Sequence, residues 1–208
     1  MMSTRDGSGA AARRLSSDER RGQIIRAAFA VFGARGYVGA TTDEVAKAAG
    51  VSQPYVVRLF GTKESLFVTA MSAAVEHVLA VFRSALAERG DTEPVARRLG
   101  EAYVDLLEVR GLHQTLAHGY LLGSHPVIGP VARDGFAQVW RFIREEAGFD
   151  ADSARAFIAQ GALISTMIGL RLVDEYGDDA SVSELFRSCF PDELPRVLDT
   201  VPRRDEPW

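Results

Sequence analysis

The stretch TTDEVAKAAGVSQPYVVRLF, residues 41–60, decides the fold. A glycine near its middle separates two short segments that each carry the signals of a helix. Thr41 and Glu44 have the spacing of a capping box, in which two side chains satisfy free backbone N–H groups at a helix start. Ser52 can cap the second segment, and Pro54 falls in its first turn, where a missing N–H costs nothing. Two such helices joined by a tight turn predict a helix-turn-helix unit.

Helices are expected on both sides of this stretch, because apolar residues recur there at helical spacing. The first begins at Ser17 and stops at Gly36, and a long one runs from Lys63 to about Glu88. Further helices are expected over residues 94–111, 112–122, 126–147, 152–176 and 183–190. No strand pattern or internal repeat is visible, so the predicted fold is all-α with about nine helices.

The chain divides into four predicted parts. Residues 1–16 are rich in Gly, Ala, Ser and Arg without an apolar period, and we expect a disordered arm. Residues 17–66, called the head below, contain the helix-turn-helix unit. Residues 67–190, called the body, form the helical remainder. Residues 191–208 hold four prolines and few apolar residues, which predicts a C-terminal tail.

The formal net charge of −4 hides a difference between the two ends of the chain. Residues 1–68 carry a net charge of +4, whereas residues 69–208 carry −8. A basic end on an acidic protein fits one surface that meets a polyanion. Part of this positive charge belongs to arginines of the N-terminal arm, so the asymmetry alone is weak support for nucleic-acid binding.

Composition excludes several classes of protein. With 47% apolar and 25% charged residues, the chain is typical of a soluble globular protein. Its single cysteine, Cys189, rules out an internal disulfide and fits a reducing compartment. The N-terminus lacks the apolar core of a secretory signal, and the most apolar stretch, residues 157–173, is too short and polar to span a membrane. We therefore expect a cytoplasmic protein without a membrane partner.

Residues 20–66 resemble the DNA-binding domain of the TetR/AcrR family of bacterial transcriptional regulators. The family pattern is F-x-x-x-G-[YF], then T-[TS]-x-x-[IV]-A-x-x-A-G-V-S-x-x-x-[LV]-Y-x-[HY]-F-x-[SNT]-K-E-x-L. The matching positions are Phe32, Gly36, Tyr37, Thr41, Thr42, Val45, Ala46, Ala49, Gly50, Val51, Ser52, Val56, Phe60, Thr62, Lys63, Glu64 and Leu66. The resemblance implies an N-terminal three-helix DNA-binding domain, followed by a helical ligand-binding and dimerisation domain.

Eight residues of the head are expected to contact DNA, because the first turn of a helix in the major groove meets base edges and helix starts attract phosphates. Gln53, Pro54 and Tyr55 are assigned to base reading, partly from the Gln-Pro pair that tetracycline repressors also carry. The other five, with phosphates as the main expected partners, are Thr41, Thr42, Ser52, Arg58 and Lys63. Helix capping explains Thr42 and Ser52 equally well, and Arg58 can be a solvated charge.

The sequence departs from the family at two DNA-facing positions. Val57 stands where the family usually has a phosphate-binding Tyr, so that contact is missing or comes from another residue such as Tyr55. Asp43 stands where some members have a base-reading Arg, and that contact cannot be transferred.

The helix expected near residues 153–176 is apolar on almost every side. A helix with two buried sides in so small a domain needs a second covering, and a helix-turn-helix protein reads two half-sites as a two-fold dimer. One stripe is therefore predicted to form a dimer interface. A fully buried central helix of a monomer is the alternative. The stripe consists of Phe157, Gly161, Ile164, Ile168 and Leu172.

The resemblance also implies an effector pocket inside the body. Each candidate is also a plausible core residue. The absence of charges from the apolar stripes favours a largely hydrophobic, neutral effector. The candidates are Tyr103, Leu107, His113, Tyr120, Phe136, Trp140 and Met167.

No metal, cofactor or catalytic function is expected. His113 and His118 are five residues apart and point to different faces of a helix, and no cysteine or carboxylate completes a zinc-like spacing. No nucleophile elbow, P-loop or dinucleotide fingerprint occurs.

The sequence therefore predicts a non-enzymatic, homodimeric transcriptional regulator. We expect a repressor that a small effector releases from a palindromic DNA operator. Two alternatives remain open: an activator or a regulator without an effector, and a helical carrier or enzyme that only shares the head.

Overall fold

The computed structural model describes residues 16–87, 94–204 and 206. Within these ranges the chain forms ten α-helices and no strand, which confirms the all-α prediction. The expected disordered arm lies outside the described residues apart from Ser16. The helices are α1 Ser17–Gly39, α2 Thr42–Ala48, α3 Gln53–Phe60, α4 Lys63–Ala87, α5 Val95–Asp105, α6 Leu112–Leu121, α7 Ile128–Arg141, α8 Ala151–Gly169, α9 Ala180–Cys189 and α10 Leu194–Thr200.

Local capping signals set the helix boundaries of the head. Ser16 and Glu19 form a capping box at the start of α1, as Thr41 and Glu44 do for α2. The helical path of α1 is interrupted at Gly36, where φ is 65° and ψ is 175°. Because glycine adopts positive φ without a Cβ clash, the predicted break at this residue is confirmed.

The long helix α4 packs against helices of both the head and the body. Its nine buried residues include Leu66, Phe67 and Phe82, and it packs against α1, α5, α6 and α7. By length and composition alone, α4 is apolar enough to cross a membrane. Its burial is that of a central helix in a globular core. The predicted boundary between residues 66 and 67 falls inside this uninterrupted helix.

Helix α6 lies directly against α1, with no room for side chains at their crossing. A Cβ placed on Gly111, whose φ is 77°, would lie 2.1 Å from the carbonyl oxygen of Phe29. A Cβ on Gly33 would lie 2.7 Å from the Cα of Gly111. The hydroxyl of Thr115 donates a hydrogen bond of 3.2 Å to that same Phe29 carbonyl. The two backbones are therefore in contact, and the body is joined tightly to the head.

The predicted C-terminal tail contains a helix. In α10 the side chain of Val197 is 1% exposed, and Val201 follows it at 4%. Pro195 occupies the first turn, where proline fits. The guanidinium of Arg196 binds the carboxylates of Asp105 and Glu108. The tail prediction is corrected, because the helical spacing of Leu194, Val197, Leu198 and Val201 was hidden among prolines.

Helix α8 ends well before its predicted end near Tyr176. It stops at Gly169, and Arg171 adopts a left-handed conformation with φ 54°. This conformation is unfavourable for a residue with a Cβ, but the Arg171 guanidinium donates hydrogen bonds to the carbonyls of Arg203 and Glu206. Contacts distant in sequence therefore stabilise the backbone just beyond the helix end.

The stripe chosen as a dimer interface faces the interior of its own chain. Ile164 and Ile168 are buried at 5% and 4% exposure, and Phe157 packs edge-on against Phe82. Gly161 lies under the ring of Tyr103, and Leu172 lies beyond the end of α8. The predicted interface therefore lies on the wrong side of α8. An apolar pattern on every side of a helix does not indicate which side packs against the rest of its own chain. The outward face carries Ala159, Ala162, Leu163, Thr166 and Leu170.

Candidate nucleic-acid interface

Helix α3 is anchored on one side and open on the other. Val56 is fully buried and Phe60 is 8% exposed, so these two side chains fix the helix against the rest of the head. Pro54, Val57 and Arg58 point to solvent. Short amphipathic helices of this kind can enter the major groove without losing their own packing.

Gln53, at the start of α3, is connected to α2. Its Nε2 donates a 3.3 Å hydrogen bond to the hydroxyl of Thr42, and both side chains are half-buried. The bond orients the amide of Gln53 at the junction of the two helices. An amide in a fixed orientation is suited to pair with the N6 and N7 atoms of an adenine.

Tyr55 and Arg58 form a second pair on α3. The guanidinium carbon of Arg58 lies 4.9 Å from the centroid of the Tyr55 ring. This cation–π contact holds the arginine over the outer surface of the helix, next to Val57. A positive charge therefore lies beside the position where the family usually has a phosphate-binding tyrosine.

The two predicted capping residues behave differently. The hydroxyl of Thr41 accepts a 3.2 Å hydrogen bond from the backbone N–H of Glu44, whose carboxylate accepts from the N–H of Thr41. Ser52 stands at the start of α3 but makes no side-chain cap bond. The exposed hydroxyl of Ser52 is therefore available for another acceptor or donor, whereas Thr41 is already engaged.

Lys63 opens α4 beside the end of α1. Its Nζ donates a 3.3 Å hydrogen bond to the carbonyl of Val38 and lies 4.8 Å from the centroid of the Tyr37 ring. Burial, with a smaller effect of Glu64, raises the pKa of Tyr37, so that phenol stays neutral. The ammonium group thus lies at a helix start next to Val38, which is 83% exposed.

The acidic residues of α2 are paired within the head. Asp43 lies 2.8 Å from the Nζ of Lys47, and Glu44 lies 3.0 Å from the guanidinium of Arg35. Pairing with Asp43 raises the pKa of Lys47. These ion pairs reduce the repulsion that free carboxylates would exert on a phosphate backbone.

Two residues of this region were not predicted from the sequence. The amide of Gln23 donates a 2.9 Å hydrogen bond to the carbonyl of Ala49 and so holds the turn between α2 and α3. The guanidinium of Arg21 lies 4.7 Å from the centroid of the Phe60 ring. Both residues lie on α1, but nothing in their spacing indicates these partners.

The effector candidates lie in different parts of the body, and a shared pocket for them stays a prediction. Leu107 and His113 border a small cavity near the end of α10, and Met167 is buried beside them. Tyr120 and Phe136 form a partly exposed ring pair 5.8 Å apart, while Trp140 is half-buried beside the main core. Helical periodicity identified these residues but could not bring them together.

Tyr103 connects three helices of the body. Its hydroxyl lies 2.9 Å from the Oγ of Ser165 and donates a 3.3 Å hydrogen bond to the carbonyl of Gly161. Burial raises the pKa of Tyr103 to about 12. Its ring packs edge-on against His113 with centroids 4.8 Å apart. Among the residues that the structure describes, no group of three or more His, Cys, Asp or Glu side chains could hold a metal ion.

Comparisons with known proteins agree with this geometry. The family model for "Bacterial regulatory proteins, tetR family" matches residues 24–70. The HTH-type transcriptional activator FasR of Mycolicibacterium smegmatis is 32% identical over 150 residues, which cover 68% of this chain and 67% of that protein. The chain belongs to the TetR family of bacterial transcriptional regulators, whose members bind DNA and act as dimers.

Solved structures show the same fold along nearly the whole chain. A transcriptional regulator from Pseudomonas aeruginosa PAO1 aligns with a TM-score of 0.56 at 20% identity, covering 91% of this chain and 97% of the other. The fatty acid degradation regulator FadR from Bacillus halodurans aligns with a TM-score of 0.54 at 16% identity, covering 91% and 96%. At these identities the likeness concerns the fold alone.

Proposed function

We propose that this regulator binds a palindromic operator through α3 and that a small molecule in the body changes this binding. The solvent-facing side of α3 carries the proposal: Pro54, Val57 and Arg58 are exposed, with the half-buried Gln53 and Tyr55 beside them. Val56 and Phe60 anchor the opposite side of the helix. Gln53, Pro54 and Tyr55 are assigned to base edges, and Thr41, Thr42, Ser52, Arg58 and Lys63 to phosphates or adjacent edges.

Two heads are needed to read a palindrome, and α8 is the proposed subunit contact. Its outward face presents small side chains, Ala159, Ala162 and Thr166, beside the exposed Leu163 and Leu170. Small residues allow helices to approach closely, and the two leucines supply apolar area. The resulting dimer would hold its two α3 helices about 34–36 Å apart, or a multiple of this distance.

Helix α6 is the proposed route from the effector to the head. His113 and Gln114 border the small cavity of the body, and the next residue, Thr115, bonds to the carbonyl of Phe29 on α1. Because the backbones of α6 and α1 are in direct contact at Gly111 and Gly33, a shift of α6 moves α1 as well. Such coupling is reciprocal, so an effector that weakens DNA binding is itself bound more weakly by the DNA complex.

DNA binding is tested by fluorescence anisotropy with the full-length protein and mixed genomic duplexes at several salt concentrations. We expect binding at low salt that weakens linearly with salt on logarithmic axes, because lysine and arginine displace counterions from phosphates. Sedimentation should show a dimer at the same protein concentration. Absence of binding to any duplex at low salt would contradict the proposal and favour a carrier or enzyme that only shares the head.

The regulator is proposed to act as a repressor, since a protein bound to an operator that overlaps a promoter blocks transcription without further contacts. An activator is the second candidate, because the relative FasR carries that name at 32% identity. A reporter behind the selected operator separates the two: deletion of the regulator should raise expression if it is a repressor and lower expression if it is an activator.

A further inference from the structure

A small, partly open cavity of about 10 Å³ lies in the body beside the start of α6, next to Gly111, which also contacts α1. This is about the size of one water molecule. Its walls come from the residues after α5, from α6 and α8, and from the chain following α10. The residues used below are Leu107, His113, Gln114, Ile168 and Val201.

Two consecutive side chains bring buried polar atoms to this cavity. His113 is 3% exposed and Gln114 is 6% exposed. The Nε2 atoms of both residues have no hydrogen-bond partner among the described residues. A buried polar atom without a partner is costly, and native proteins keep few of them, so these two atoms need a partner that occupies the cavity.

The two atoms offer complementary chemistry. Burial lowers the pKa of His113 to about 4, so its ring is neutral near pH 7, and the ring also hydrogen-bonds to the backbone of Tyr103. A neutral imidazole that donates through one nitrogen accepts through the other, whereas the Gln114 amide nitrogen donates. The cavity wall therefore combines one acceptor with one donor between apolar side chains.

We propose that this cavity binds the polar group of a small neutral amide, whose apolar substituent lies against Leu107, Ile168 and Val201. A primary amide donates through its nitrogen to His113 and accepts through its oxygen from Gln114. The inference rests on the proposed function, since it names the chemical class of the effector. An anion is disfavoured, because the one cationic side chain at the rim, Arg110, faces the carboxylate of Glu206 at 3.8 Å.

The cavity opens where the chain after α10 covers it. Val201 and Pro202 form this cover, and exposed ion pairs hold the surrounding segment to the body, among them Arg196 with Glu108 at 2.7 Å. To admit a ligand larger than the cavity, the cover must move outward, which breaks these weak exposed pairs and also the buried contacts of Val201.

The test is a titration of the full-length protein with isobutyramide, followed by the ¹⁵N resonances of the four histidine rings. Saturable shifts of the His113 resonances, with His77 unchanged, are expected. Isobutyrate, which has the same shape and a negative charge, should produce no such shift at neutral pH. Replacing Gln114→Leu should weaken isobutyramide binding about tenfold, the loss expected for one hydrogen bond.

The proposal is overturned if isobutyramide leaves His113 unchanged up to its solubility limit, or if isobutyrate binds equally well. It is also overturned if Gln114→Leu, still folded by circular dichroism, binds the amide as the wild type does. Anisotropy of a labelled duplex in the same samples separates the two proposals: DNA binding without an amide response contradicts only this site, and an amide response without DNA binding contradicts only the proposed function.

Discussion

The head and the body place their polar side chains differently. The described part of the head buries only apolar side chains, and its polar residues lie on the surface of its helices. Among its described residues the body buries four polar side chains, and three of them, His113, Gln114 and Thr115, are consecutive on α6. A fully apolar core makes the head a rigid support for a reading surface. Buried polar groups make the body sensitive to pH and to ligands that supply hydrogen bonds.

The largest expected effect concerns the contact between these two regions. Replacing Gly111→Ala should lower the free energy of unfolding by about 3 kcal/mol or more, because the new Cβ would overlap the Phe29 carbonyl at 2.1 Å. Urea unfolding followed by circular dichroism measures the change.

Gly50→Ala is the matched control. Gly50 also has positive φ, 62°, but a Cβ there meets nothing within 4 Å, so the cost should be only about 1–2 kcal/mol from the left-handed backbone. Equal losses in the two variants would show that α1 and α6 are not in tight contact.

The second prediction concerns His113, one of the buried polar side chains that distinguish the body from the head. The pKa of His113 is lowered from 6.5 to about 4 by burial, so below pH 6.5 the unfolded chain gains a proton that the folded chain does not take up. The free energy of unfolding should therefore fall by up to about 3 kcal/mol as the pH is lowered from 6.5 to 4. Below pH 4 this group should cause no further change. Unfolding midpoints across this range measure the fall.

His113→Gln should flatten this acid dependence, because the variant lacks the titrating ring. His77→Gln is the control, since His77 is exposed on α4 and should leave the dependence unchanged. If the His113 variant loses stability with acid as steeply as the wild type, the histidine is not buried in neutral form.

The third prediction concerns base reading by the head. Gln53→Ala should reduce discrimination between the operator and a sequence changed at one base pair by about 1–3 kcal/mol, because one bidentate contact is lost. Competition binding at fixed salt provides the measurement. Gln138→Ala on α7, where Gln138 bonds to Asp134, should leave discrimination as it was. Unchanged discrimination in the Gln53 variant would remove this residue from the reading surface.

The smallest effect is expected for a phosphate contact. Lys63→Ala should weaken binding to all sequences alike and reduce the slope of log affinity against log salt by about one unit. Salt titrations of operator and non-operator duplexes measure both quantities. Arg97→Ala on α5, far from α3 along the chain, is the control and should keep the slope. A loss confined to the operator would instead assign Lys63 to base reading.

The sequence was most informative where structure depends on neighbours along the chain. The capping box of Thr41 and Glu44, the proline at the start of α3 and the glycine breaks at positions 36 and 50 are local features, and each lies where it was predicted. The family motif covers this same region, so the candidate DNA-contacting residues could be named before the fold was known.

The sequence was least informative where structure depends on distant contacts. The backbone just beyond the end of α8 is stabilised by Arg171 bonding to residues more than thirty positions later, and α10 is held by Arg196 binding Asp105 and Glu108. The covered side of α8 and the unpartnered atoms of His113 and Gln114 likewise depend on packing. Apolar spacing identifies a buried helix but not its partners.

The central claim is that α3 from two identical chains reads DNA, and selection from a random duplex pool tests it most directly. The wild-type protein should enrich a palindrome with half-site centres about 10–10.5 base pairs apart or a multiple of this spacing. Gln53→Ala, selected in parallel, should lose preference at one position in each half-site. Enrichment of no sequence at low salt, or the same palindrome with the same preferences from both proteins, would contradict the account.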